Sequence, residues 1–147
     1  MSAVAPVEDR KRWMALLAQA APEALVALWD EAPAHELLRP PETGAVMLRG
    51  RTGGTGAPFN LGEMTVTRCA LRLATGEVGH AYVQGRDKAH ARRAALIDAL
   101  MQGPRAAELA ERVLAPLAAA RARAAETRAA KAAATRVEFF TLVRGED

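Results

Sequence analysis

Residues Thr65 to Leu73 alternate between apolar and polar side chains, Thr75-Gly76 can turn the chain, and Val78 to Gln84 alternates again. Period-two patterning on both sides of a turn restricts this stretch to an antiparallel hairpin. Asp87 then stands as the N-cap of a helix whose Leu96, Ile97, Leu100 and Met101 share a buried side. A hairpin running into an amphipathic helix narrows the fold to a helix packed on a sheet, the α+β class. Pairing Leu73 with Val78 predicts one face of Cys69, Leu71, Leu73, Val78, His80 and Tyr82, read as core. Arg68, Ala70, Arg72, Ala81 and Val83 fall on the other face.

The flanking segments extend this plan. Trp13, Leu16, Leu17 and Ala20 recur at helical spacing, and Pro22 opens a second helix with Ala21, Leu25, Leu28 and Trp29 on its buried side. Both tryptophans read as core packing or as contacts in a partner groove, with nothing to suggest a ligand cage. Glu36 to Arg39 and Ala45 to Arg51 read as short strands around a Pro40-Pro41-Glu42-Thr43-Gly44 turn. Gly103-Pro104 stops the helix from Asp87 at Gln102, and a new helix carries Leu109, Val113, Leu114 and Leu117, with a bend expected at Pro116. Alanine fills eleven of the seventeen positions from Ala118 to Ala134, so helix propensity is high while the apolar area available for burial is small. Such a helix requires a close neighbour or stays exposed. Val137 to Arg144 alternates with hydrophobic residues on both faces and reads as a buried terminal strand.

The expectation is one α+β domain over residues 1–147: a helical hairpin (1–34), β hairpins with a Gly-rich loop (35–86), a central helix followed by a long C-terminal helix (87–135), and a terminal strand and tail (136–147). Neither a long apolar leader segment nor a run of roughly 18 apolar residues occurs, so a soluble, cytoplasmic protein without a membrane span is expected. Cys69 is the only cysteine, which leaves no intrachain disulfide. The net charge is +3, carried mostly by arginine, since Lys11, Lys88 and Lys131 are the only lysines. Arginine suits phosphate and carboxylate, but a genome rich in G and C produces the same Arg and Ala bias.

Two stretches concentrate candidate chemistry. Arg51-Thr52-Gly53-Gly54-Thr55-Gly56 places three glycines within four residues, freeing the backbone to take positive φ and to approach an anion or another chain closely. It lacks the spacing and the Gly-Lys-Ser/Thr ending of a Walker loop, so close packing against another subunit is favoured over direct nucleotide binding. Arg86-Asp87-Lys88-Ala89-His90 opens a helix, where free N–H groups and the dipole favour anions. The competing reading is a capped helix with solvated charges and His90 packed beside Ala94, Ile97 and Met101. Histidines 35, 80 and 90 have no metal-ligand spacing, although folding can bring His80 toward His90. Cys69 sits mid-strand without an adjacent base and reads as inert. Arg121, Arg128, Lys131 and Arg136 form a basic stripe on the long helix, compatible with nucleic acid but lacking any aromatic interleaving. Arg68 and Arg72, on one strand face beside small Ala70 and Ala81, resemble a docking surface more than a core.

Several separated segments together resemble the PhnG family of the bacterial carbon-phosphorus lyase system: Arg51 to Gly56, Thr65-Val66-Thr67-Arg68, Gly85-Arg86-Asp87-Lys88, Ala95 to Gln102, and the tail Arg136 to Asp147. The resemblance implies a subunit of the lyase core complex. With its partners the family converts ATP and an alkylphosphonate such as methylphosphonate into the α-D-ribose 1-phosphonate 5-triphosphate, releasing adenine. It implies partners in a nucleosidase-type subunit, a radical S-adenosylmethionine subunit with an iron-sulfur cluster, and accessory subunits. It gives no catalytic residue to carry over to this chain; no metal is expected from the ligand spacing, and no cofactor is expected to be bound by this chain alone, ATP being the complex's substrate. The expected function is therefore non-autonomous. Partner contacts, or the edges of a phosphate-lined site completed by another chain, are expected at Arg51, Gly53, Gly54, Thr55, Gly56, Arg68, Arg86, Asp87, Lys88 and His90. The rival readings are a self-sufficient nucleotide-using enzyme and a basic nucleic-acid module.

Overall fold

A computed structural model describes the backbone of residues 7–143 and the side chains of residues 7–136. The chain is α+β, with helices on one face of a three-stranded antiparallel sheet. Helices α1 (Val7–Gln19) and α2 (Pro22–Leu28) fall where two helices are expected, with Pro22 in the first turn of α2. Strands β1 (His35–Arg51), β2 (Pro58–Leu73) and β3 (Val78–Gln84) follow in spatial order β1-β2-β3, then α3 (Lys88–Leu100), the short α4 (Ala106–Leu109) and α5 (Ala115–Val143).

The core is built where the apolar periodicities meet. Trp13 and Leu17 from α1, Leu25 from α2, Leu71 and Val83 from the sheet, Ile97 from α3, and Leu109 and Val113 beyond it are all buried. Alanines 91, 94, 95 and 99 give α3 a small-residue face against the sheet. Gly79 permits the closest approach: a side-chain carbon there would collide with the Ala95 carbonyl oxygen and stand 2.9 Å from Ala99 Cβ. Small residues on both partners thus set the helix–sheet distance.

The structure corrects four expectations. The first hairpin does not exist: residues 35–51 form one strand, paired with β2 from His35↔Leu73 to Arg51↔Pro58. Pro40 and Pro41 do not turn the chain, because β1 is an edge strand, where a missing N–H is tolerated. They fall instead among register shifts between Leu37 and Glu42. The Gly-rich segment is consequently the turn between β1 and β2, and β2 starts at Pro58, well before Thr65.

The second hairpin is present but one residue out of the expected register. Leu73 N–H bonds to Glu77 O, Gly76 takes φ 106°, and Arg68 pairs with Tyr82. A three-residue turn with Gly in the positive-φ position replaces a two-residue turn, and a slip of one residue exchanges the faces of β3. Ala81 and Val83 are therefore core, while His80 and Tyr82 face outward with Arg68 and Arg72.

The third correction concerns the bend. Ala110–Leu114 form a π turn, with Ala115 N–H reaching back to Ala110 O, immediately ahead of Pro116. A proline cannot donate to the ladder, and a wider turn accommodates its ring. Fourth, the terminal strand is absent over residues 137–143, which continue α5 as helix. Helix propagation from the alanine run is favourable residue by residue, whereas a strand there would need a neighbour to pair with. Residues 144–147 of the expected strand and tail lie outside the described residues.

Candidate partner-binding surfaces

β3 pairs only with Val66 to Arg72 of β2. The remainder of the β1–β2 hairpin, residues 45–51 against 58–65, projects as a two-stranded ribbon. Met47 (55% exposed), Leu48 (41%), Phe59 (45%) and Leu61 (61%) lie along it, so one short segment carries half of the eight large hydrophobic side chains most exposed among the described residues. A ribbon of two strands has little stability of its own, and exposed apolar side chains concentrated on it mark a contact surface. Leu61 is the extra residue of a bulge and packs over Gly50, where a Cβ would stand 2.7 Å from Leu61 Cδ1.

Five candidate residues sit at the ribbon tip. Thr52–Gly54 make a single 3₁₀ turn closed by Thr55 N–H to Thr52 O, which also accepts from Gly56 N–H at 3.0 Å, with Gly53 at φ 62° and Gly54 at φ 80°. Both need the left-handed region that glycine alone enters freely, yet no neighbour crowds either position. The constraint is conformational. Arg51, Gly53, Gly54 and Thr55 are exposed and Gly56 half-buried.

Arg68 is elsewhere, at mid-sheet on the outer face, ten residues along β2 from Pro58 and so roughly 33 Å from the tip. Its guanidinium is bound to the Glu42 carboxylate, with Nε 2.7 Å from Oε1. That hydrogen bond, with the Arg68 charge and then that of Arg39, holds the Glu42 carboxyl below its ordinary range.

The start of α3 forms a third location. Asp87 is the N-cap, its Oδ1 accepting from His90 N–H at 2.9 Å. The protein's own carboxylate thus occupies the position that an anion would take at a helix N-terminus. His90 is buried, and its Nε2–H donates to Leu17 O at 2.8 Å, closing the last turn of α1. Arg86 and Lys88 remain exposed. Folding therefore separates the candidates into a tip, a sheet face and a helix start. His80 is exposed on β3, whereas His90 is buried against Leu17.

Cys69 is buried, and burial pushes its thiol pKa up, the opposite of nucleophile activation. The long helix α5 is exposed at every position from Ala118 to Arg136, with Arg121, Arg128, Lys131 and Arg136 among them. Sequence reasoning missed Asp98. It is fully buried and accepts from Arg10 Nη2 (2.8 Å), Arg10 Nε (3.2 Å), Trp13 Nε1 (2.7 Å) and His80 N–H (2.8 Å). The available signal was a carboxylate directly after Ile97 and four residues after Ala94, on the buried side of a helix.

A small α+β core that projects a ribbon and a long bare helix has the form of a subunit made for assembly. The chain belongs to the PhnG family: residues 8–145 match the family model for "Phosphonate metabolism protein PhnG". It is 51% identical over 150 residues to a protein of Rhizobium meliloti (strain 1021) named alpha-D-ribose 1-methylphosphonate 5-triphosphate synthase subunit PhnG, covering 97% of this chain and 94% of that one.

Proposed function

We propose that this chain is a non-autonomous subunit of ribose 1-methylphosphonate 5-triphosphate synthase. With its partner subunits it is required to make α-D-ribose 1-methylphosphonate 5-triphosphate from ATP and methylphosphonate. In that exchange a phosphonate oxygen bonds to C1′ of the ribose, the bond from C1′ to N9 breaks, and adenine leaves with the proton released by the phosphonate. The observation that carries the reading is the pair of uncovered projections, the apolar ribbon of β1 and β2 and the bare α5, on a chain of a family whose relative is named a synthase subunit.

The chain binds no cofactor alone, and ATP enters as a substrate of the assembly. Its partners are the nucleosidase-type subunit, the radical S-adenosylmethionine subunit and accessory subunits of the core complex. Arg51 to Gly56 at the ribbon tip, Arg68 on the sheet face, and Arg86 to His90 at the α3 start serve as partner contacts or as edges of a phosphate site. Among the last group, Arg86 and Lys88 are the residues open to a partner, and Asp87 and His90 fix the helix that presents them.

Gly54→Val tests the reading. At φ 80° a β-branched residue is strained, while the open space around it leaves the core untouched. The isolated chain should unfold as wild type does, and a strain relying on it should fail to grow on methylphosphonate as its phosphorus source. Normal growth would contradict the role given to the tip.

A further inference from the structure

β3 is an edge strand, and its backbone outlines a place for one more strand. In the register that bonds Leu73 to Glu77 and Gly85 to Thr65, residues 79, 81 and 83 bond to β2. Residues 78, 80, 82 and 84 therefore turn their N–H and C=O groups outward. The first part of this edge is closed by side chains: Arg10 Nη2 (3.3 Å) and Gln102 Nε2 (2.8 Å) donate to Val78 O, and Asp98 Oδ2 accepts His80 N–H. The closure then stops. Among the described residues nothing bonds to His80 C=O, to either backbone group of Tyr82, or to Gln84 N–H.

A groove follows this open half. Helix α1 runs beside β3, and between them lies a hollow of about 180 Å³ floored by Met14, Leu17 and Ala18. Past Ala18 it continues into a second hollow of about 450 Å³ beside Gln84 and Gly85. No lysine, arginine, aspartate or glutamate lines either hollow, whereas Glu8, Asp9, Lys11 and Arg12 are exposed elsewhere on α1. Unpaired edge groups beside Met14, Leu17 and Ala18, with His80, His90, Gln19 and Gln84 among the polar members of the lining, specify both features of an occupant: an extended backbone to complete the ladder, and side chains without charge, since neither hollow offers a carboxylate, lysine or arginine as a counter-ion.

We infer that the edge of β3 from His80 to Gln84, with the α1 groove beside it, receives an uncharged extended segment of another synthase subunit as a fourth strand. The inference rests on the subunit reading above and adds to it the mode and place of contact. It is separate from the ribbon tip and from α5.

The test uses the full chain, tagged and co-expressed with the other synthase subunits. Tyr82→Pro removes an outward N–H together with the ring, at an edge position where proline is compatible with a strand. Ala18→Glu places a charge in the groove from an α1 position, and Tyr82→Ala is the control that loses the ring but keeps the backbone N–H. The expected result is recovery of partner subunits reduced about tenfold or more by Tyr82→Pro and by Ala18→Glu, and largely kept by Tyr82→Ala. In the wild-type assembly the Tyr82 and Gln84 amides should exchange with solvent at least about tenfold more slowly than in the lone chain. If Tyr82→Pro disturbs folding of the lone chain, Ala18→Glu and the two amides decide. Full recovery with both variants and unchanged amide exchange would overturn the inference while leaving the subunit reading intact. Recovery of no partner by the wild type would overturn both. Concentration-dependent protection in the lone chain would assign the edge to a second copy and also overturn it.

Discussion

Asp98 joins α1, α3 and β3 through one carboxylate. Removing it leaves the buried Trp13 indole N–H and the part-buried His80 N–H without an acceptor, and the Arg10 guanidinium without its partner. Breaking a buried pair of this kind costs about 3–5 kcal/mol. Arg10 is a third exposed and keeps part of its hydration, which places Asp98→Ala toward the lower end. Denaturant unfolding of the isolated chain should show this loss, and an unchanged midpoint would remove Asp98 from its place at the centre of the fold. Legibility at this scale follows locality. The Asp87 cap was readable because an N-cap acts on amides two or three residues ahead. Asp98 was not, because its donors come from residues 85 and 88 positions away on α1 and from β3.

Among the elements, the junction of α2 with α4 and the π turn is held by charge. Arg105 and Arg112 both bind the Glu31 carboxylate at 2.9 Å, and Arg105 also binds Glu108. These hydrogen bonds hold the carboxyls of Glu31 and Glu108 below their ordinary 4.5. With the folded-state pKa depressed, the stabilisation is complete above pH 4.5 and is lost as pH falls through the folded-state values. Thermal unfolding should therefore be level near neutral pH and weaken in acid. Glu31→Gln should lower the neutral plateau and flatten the acid decline, and parallel pH profiles for the two proteins would contradict this. A second expectation concerns α5. Ending the chain at Arg123 removes residues that are exposed as far as they are described, so the core should unfold at the wild-type midpoint while helical circular dichroism falls and assembly is lost. A large drop in the midpoint would mean that the helix is part of the core. The sequence conveyed this helix through its alanine run, but not its continuation to Val143, because the alternation from Val137 mimics a strand and only the helix already propagating upstream decides between them. Pro40 and Pro41 misled for a related reason: their tolerance depends on β1 being an edge, which is a property of sheet order. The β3 register turned on one additional loop residue at Gly76.

For the whole molecule, the class was legible from periodicity, since a hairpin followed by a capped amphipathic helix admits few packings. The candidate residues were legible only as separate motifs. Folding distributes them over a tip, a sheet face and a helix start, and that dispersion agrees with contacts to several partners better than with one self-contained pocket. The family places the chain in phosphonate metabolism, and its exposed projections suit the proposed dependence on other subunits. The most direct test is to purify this chain alone and in co-expression with the other core subunits, and to measure adenine release from ATP and methylphosphonate in each preparation. Activity only in the assembly, and lost when this chain is omitted, is the predicted result. Adenine release by the lone chain would contradict the account and locate a complete site within these 147 residues.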